Sequence, residues 1–141
     1  MATLTVTITE AVTLNGVDRG VTNTLTAAVT EVDHRILDIT TGYIDYIRFG
    51  SANGAGQYKD ATIAYIRITN LDVSADVILR LRGNGYTSYM KVPAKGSCLL
   101  TDQTMDAFAN ITSADSLANL DSIAAKTSSA PSQIEMLVAV A

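Results

Sequence analysis

The stretch from Ile63 to Thr101 constrains the fold most. IAYIRITN, VILRLR, YTSYMKV and SCLLT each alternate apolar with polar residues, the period-two pattern of strands that bury one face. Between them stand LDVSAD, Gly83-Asn84-Gly85 and Pro93-Ala94-Lys95-Gly96, residue types that favour turns. Short strands recurring about every 8–12 residues with such punctuation predict an antiparallel sandwich or barrel. Val77 to Arg82 reads as the hairpin partner of Ile63 to Asn70, and Tyr86 to Val92 follows the next tight turn.

The alternation extends in both directions. TLTVTIT, residues 3–9, sets Leu4, Val6 and Ile8 against threonines, and Asn15-Gly16 is a strong turn dipeptide. Leu25, Val29 and Val32 mark a further strand, read with a bulge at the Ala27-Ala28 step. HRILDIT, 34–40, and YIDYIRF, 43–49, are strands, the second with Ile44, Tyr46 and Arg48 on one face. GSANGAGQYKDA, 50–61, reads as a flexible loop; it lacks the GK[ST] ending of a phosphate-binding loop. SADSLANLDSIAAKT has two readings. One is a helix behind a Ser113 cap with Leu117, Leu120, Ile123 and Ala124 on one face; the other is a strand from Asp121 to Thr127. QIEMLVAVA, 133–141, is a final strand that needs a neighbour, which favours the second.

At 141 residues the chain reads as a single domain, 1–141, large enough for a core without staples. Its net charge of −4 argues against nonspecific nucleic-acid binding, which needs a basic face. No run reaches the roughly 18 apolar residues of a membrane helix. The N-terminus lacks the basic region and apolar core of a secretory signal, so the expectation is synthesis in a cytoplasm and use without processing. The lone Cys98 excludes an intramolecular disulfide and reads as a small buried hydrophobe.

Chemistry is hard to find. One histidine, His34, gives no three-ligand zinc set and reads as a polar residue at a strand start. There is no GxSxG nucleophile elbow, and no carboxylate pair stands out for acid–base work. Asp72 and Asp76 lack the glycine and terminal Glu of an EF-hand and read as turn residues. The expectation is no enzyme, no cofactor and no metal site.

What stands out instead is a set of tyrosines and arginines at strand positions that alternate with the apolar ones: Arg48, Tyr65, Arg67, Arg80, Arg82 and Tyr89, with Tyr46 and Lys91 beside them. If the strands share a sheet, these residues share a face. Tyr and Arg are enriched at the centres of protein–protein interfaces. A solvated outer face held by charge pairing and cation–π contacts explains the same residues without a partner.

The order YIRITNLD, DVILRLRG, YTSYMKV, PAKGSCLLTD, SLANLDSIAA and QIEMLVAVA resembles small structural virion proteins of tailed bacteriophages, especially those of marine and cyanobacterial hosts. The resemblance covers roughly residues 63–141 and rests most on YIRITNLD with the later GSCLLTD. It implies a jelly-roll-like β-sandwich of about eight strands that binds the outside of the head as a decoration or cement protein. The implied partners are the major capsid protein and further copies of the chain, as a trimer or dimer, with no nucleic acid and no membrane. The implied location is the capsid surface, after synthesis in the host cytoplasm. A tail, neck or fibre component fits the same resemblance. A host glycan-binding module is a further alternative, with the 50–61 loop and Tyr58 as its discriminating feature.

Overall fold

A computed structural model describes residues 1–51, 54, 56–59, 62–83, 85–101, 104–105, 118–129 and 131–141. The chain opens as one long hairpin arm built from β1 (Ala2–Glu10), β2 (Thr13–Leu14), β3 (Val17–Asp18) and β4 (Val21–Val29). β1 pairs with β4 in unbroken antiparallel register, and β2 pairs with β3 at the tip. The tip turn is Asn15-Gly16 with φ of 52° and 76°, the left-handed pair that a two-residue hairpin turn requires. Leu4, Val6 and Ile8 share a face with Leu25, Ala27 and Val29, while Thr3, Thr5, Thr7 and Thr9 share the other with Thr22, Thr24 and Thr26. The expected bulge is absent: Ala27 opposes Leu4 and Ala28 opposes Thr3, so the Ala-Ala step keeps the alternation.

After Thr30 the body begins. Its strands are β5 (Glu31–Ile39), β6 (Ile44–Gly50), β7 (Gln57–Lys59), β8 (Ile63–Asn70), β9 (Val77–Gly83), β10 (Tyr86–Val92) and β11 (Ser97–Leu100). A small pair, β12 (Thr104–Met105) with β13 (Ala118–Asn119), precedes β14 (Ser122–Thr127) and β15 (Ser132–Val140). Two sheets result: β10-β9-β14-β6-β7 and β11-β8-β15-β5. All pairings within them are antiparallel except the short β6–β7 contact. The chain runs out through β5, β6, β8 and β9 and returns through β10, β11, β14 and β15. Each returning strand meets its outgoing partner in reverse order, as β9–β10, β8–β11, β6–β14 and β5–β15. A long hairpin rolled into two layers in this way is a jelly roll, and its eight principal strands match the expected number.

The two inner faces meet in one core. Ile66, Ile68, Ile134, Met136 and Val138 come from the four-stranded sheet, and Ile47, Val77, Leu79, Leu81 and Ile123 from the five-stranded one. Cys98 belongs to this core, as expected, and burial pushes its thiol pKa up. A second, smaller cluster lies outside the sandwich. There Val29, Leu4, Val6 and Ala27 of the arm pack on Tyr65, Ala139 and Leu137 of the four-stranded sheet's outer face.

Several expectations need correction. β8 and β9 are not a hairpin, because they lie in different sheets and the chain crosses the sandwich between them. Their apolar faces meet from opposite sides, a relation that alternation alone does not distinguish from pairing. The crossing is fastened by Asn70, whose Nδ2 donates to Ala75 O and Val92 O and whose Oδ1 accepts from Asp72 N. Asp72 is the expected turn residue: its Oδ1 accepts from the backbone N–H groups of Ser74 and Ala75, each at 2.8 Å, and its Oδ2 from Ser132 Oγ at 2.7 Å. Residues 122–127 form a strand, yet the neighbours of β15 are β5 and β8 rather than β14; Ser113 and Leu117 lie outside the described residues. The 50–61 segment is not all loop, since β7 lies within it and Tyr58 is buried; residues 52, 53, 55, 60 and 61 lie outside the described set.

Candidate interaction face

The six residues singled out above do not share one face. Tyr65 and Arg67 lie on β8, in the four-stranded sheet. Arg48, Arg80, Arg82 and Tyr89 belong to the five-stranded sheet, on the opposite side of the sandwich. Tyr65 is only 4% exposed, because the arm covers it. Arg67 pairs with Glu135 at 3.0 Å, and His34 Nε2 lies 2.6 Å from the same carboxylate. His34 therefore sits within β5 rather than at a strand start.

Strand register builds the other face directly. One row across the five-stranded sheet reads Tyr89, Arg80, Ala124, Asp45, and the next reads Thr87, Arg82, Ser122, Arg48. A β-bulge in β6 makes this possible. The register shifts so that Ala124 opposes Asp45 while Ile123 opposes Ile47, leaving Tyr46 as the extra residue. Tyr46 therefore leaves the Arg48 face expected for it: it packs against the core and donates its hydroxyl to Asp38 O. Asp45 takes its place outside, 3.3 Å from Arg80 Nη2 and 3.8 Å from Arg48 Nη2.

Tyr43 and Lys126 complete the face. The Tyr43 ring lies 4.6 Å from the Arg80 guanidinium carbon, 4.9 Å from Lys126 Nζ and 6.0 Å from the Tyr89 ring. These cation–π contacts hold Arg80 and Lys126 in place without neutralising them. Tyr89 is 61% exposed. Arg82 is exposed and has no ion-pair partner among the described residues. Arg48, Arg80, Arg82, Lys91 and Lys126 are five of the chain's ten lysines and arginines. Among the described residues Asp45 and Asp76, the latter 2.7 Å from Lys91, pair with them. The pairs of the exposed Arg48 and Lys91 contribute little to stability, so these two cations and Arg82 remain available to a partner, whereas Arg80, its side chain 16% exposed, is held by Asp45 and the Tyr43 ring. Tyr43 and Lys126 escaped the sequence reading: Tyr43 precedes β6, and Lys126 lies in the segment whose structure was ambiguous.

A second polar group closes the sandwich edge. Arg35 Nη2 meets Asp33 Oδ2 at 2.8 Å and Tyr58 Oη at 3.0 Å, and Tyr58 donates to Asp33. Burial, reinforced by the Asp33 carboxylate, pushes the Tyr58 hydroxyl up to about 12. Inward-pointing charges on an edge strand such as β5 guard against edge-to-edge association. Tyr58 is thus a buried structural residue, which removes it as an exposed platform for a glycan. Among the described residues no group of three or more His, Cys, Asp or Glu could hold a metal ion, and no helix is long and apolar enough to cross a membrane. Comparisons with protein-family models, curated proteins and solved structures found no match to this chain.

Proposed function

We propose that the chain is a structural virion protein of the tailed-bacteriophage type. It acts as a decoration or cement protein that lies on the outer surface of the head and bridges neighbouring capsid subunits, without catalysis or cofactor. The observation that supports this most is the outer face of the five-stranded sheet. It gathers half of the chain's basic residues around two neighbouring tyrosines, in a protein of net charge −4. Arg and Tyr anchor interface centres, and a basic face on an acidic molecule orients it toward an acidic surface. A capsid repeats its surface many times, so contacts that are modest singly become strong when several copies are linked.

The test is cosedimentation with undecorated heads, comparing the native chain with Arg48→Glu combined with Arg82→Glu. Both side chains are exposed, so the variant keeps its melting temperature. Loss of each interface arginine costs at least about tenfold in affinity, and the pair about a hundredfold. A native chain that stays in the supernatant refutes the head assignment; a variant that pellets as well as the native chain refutes this face.

A further inference from the structure

On the outer face of the five-stranded sheet, the row Thr87, Arg82, Ser122, Arg48 crosses four strands, and every member carries a hydrogen-bond donor. The Arg82 guanidinium is exposed and has no hydrogen-bond or ion-pair partner among the described residues. The Arg48 side chain is 65% exposed, and its Nη2 lies 3.8 Å from Asp45 Oδ2, beyond hydrogen-bonding distance. Ser122 stands between them, and its hydroxyl reaches Asp45 Oδ1 only at 3.5 Å. The other cations of this face are already engaged. Arg80 is held by Asp45 and the Tyr43 ring, Lys126 lies over the same ring, and Lys91 pairs with Asp76. The uncommitted guanidiniums are therefore confined to one row.

Strand spacing sets their separation. Arg82 and Arg48 flank β14, so their Cα atoms stand about 10 Å apart, two strand spacings. The small Ser122 side chain leaves the space above β14 open, and two long side chains can close over it. Facing guanidiniums match an oxyanion, because each presents parallel N–H donors in a planar fork. Asp45 decides which oxyanion. Its carboxylate borders the gap beside both Arg48 and Ser122, and it repels a dianion more than a monoanion.

We infer that Arg48 and Arg82 form a clamp for a single side-chain carboxylate, an Asp or Glu of an acidic protein segment. Ser122 is its floor, and Asp45 discriminates against phosphate dianions. The inference rests on the reading of this face as the one that meets a partner, and it names the chemistry the face accepts. The clamp can nevertheless be read on the chain alone.

Titration of the full chain, without heads, with a short peptide of alternating Glu and Gly tests the clamp. The readout is the arginine Nε–H resonances of isotope-labelled protein. Those of Arg48 and Arg82 are expected to move together with one shared dissociation constant. The buried Nε of Arg80 serves as the internal control and stays in place. A Gln–Gly peptide moves none of them, and a phosphoserine–Gly peptide binds more weakly than the Glu–Gly one. Arg82→Lys keeps the charge and loses the fork. It should weaken Glu–Gly binding about threefold or more, the scale of an exposed ion pair. Arg82 is exposed, so this variant keeps the fold. Arg48 and Arg82 signals that move separately or not at all overturn the inference. So does a phosphoserine peptide that binds as tightly as the Glu peptide, or an Arg82→Lys variant of native affinity. A chain that binds the Glu peptide yet ignores heads keeps the clamp and refutes the head assignment; one that pellets with heads yet leaves the peptide unbound does the reverse.

Discussion

Replacing Tyr65 by alanine should release the arm while leaving the sandwich closed. The Tyr65 ring is 4% exposed and belongs to the small cluster under the arm, not to the core between the sheets. Truncating a buried aromatic side chain to alanine costs about 3–5 kcal/mol. Because one side of this cluster is a peripheral ribbon, the lower end applies, and about 3 kcal/mol is roughly a hundredfold in an opening equilibrium. The arm's other anchor, Thr30 N donating to Val140 O at 2.8 Å, is untouched and serves as the pivot. Hydrogen exchange followed by mass spectrometry reads the two regions separately. Protection of residues 2–10 and 21–29 should fall about a hundredfold, with less than a tenfold change in peptides covering β8, β14 and β15. An equal loss across arm and sandwich would refute the view that the arm is a separately anchored element.

Two further substitutions probe the frame. The Asp72 carboxyl is held well below its usual range, first by the backbone N–H groups of Ala75 and Ser74 and then by Ser132. Its stabilisation is therefore present above about pH 4 and is lost as pH falls toward the folded-state value. Asp72→Asn should lower the midpoint of urea unfolding at pH 7 and flatten its decline below pH 4; an unchanged acid profile would contradict this. Gly56 has φ +70°, and a Cβ there would stand 2.9 Å from Tyr46 O, beside the β6 bulge. Gly56→Ala should cost about 1–3 kcal/mol in chemical denaturation, and a neutral result would exclude this backbone geometry.

Much of the fold was legible in period and punctuation. Residues 63–101 divide into strands where the alternation and turn residues said they would, and Asn15-Gly16 forms the turn its chemistry demands. Pairing was less legible, because an apolar stripe reports that a face is buried without saying from which side. That is why Val77–Gly83 was matched to the wrong neighbour. The interaction face was legible in part. Arg80, Arg82 and Tyr89 follow simple alternation along β9 and β10, whereas one extra residue at Tyr46 reverses the parity of β6 and brings Asp45 outward. The sequence around Tyr65 gives no sign that the upstream arm, through Leu4, Val6, Ala27 and Val29, covers it.

The most direct test of the account is amine footprinting of the protein free in solution and bound to undecorated heads. Lys91 and Lys126 lie on the five-stranded sheet's outer face. The account predicts that both lose reactivity on binding, while the Met1 amine, at the base of the arm on the other side of the sandwich, keeps it. Unchanged Lys91 and Lys126 on heads that carry the protein would contradict it.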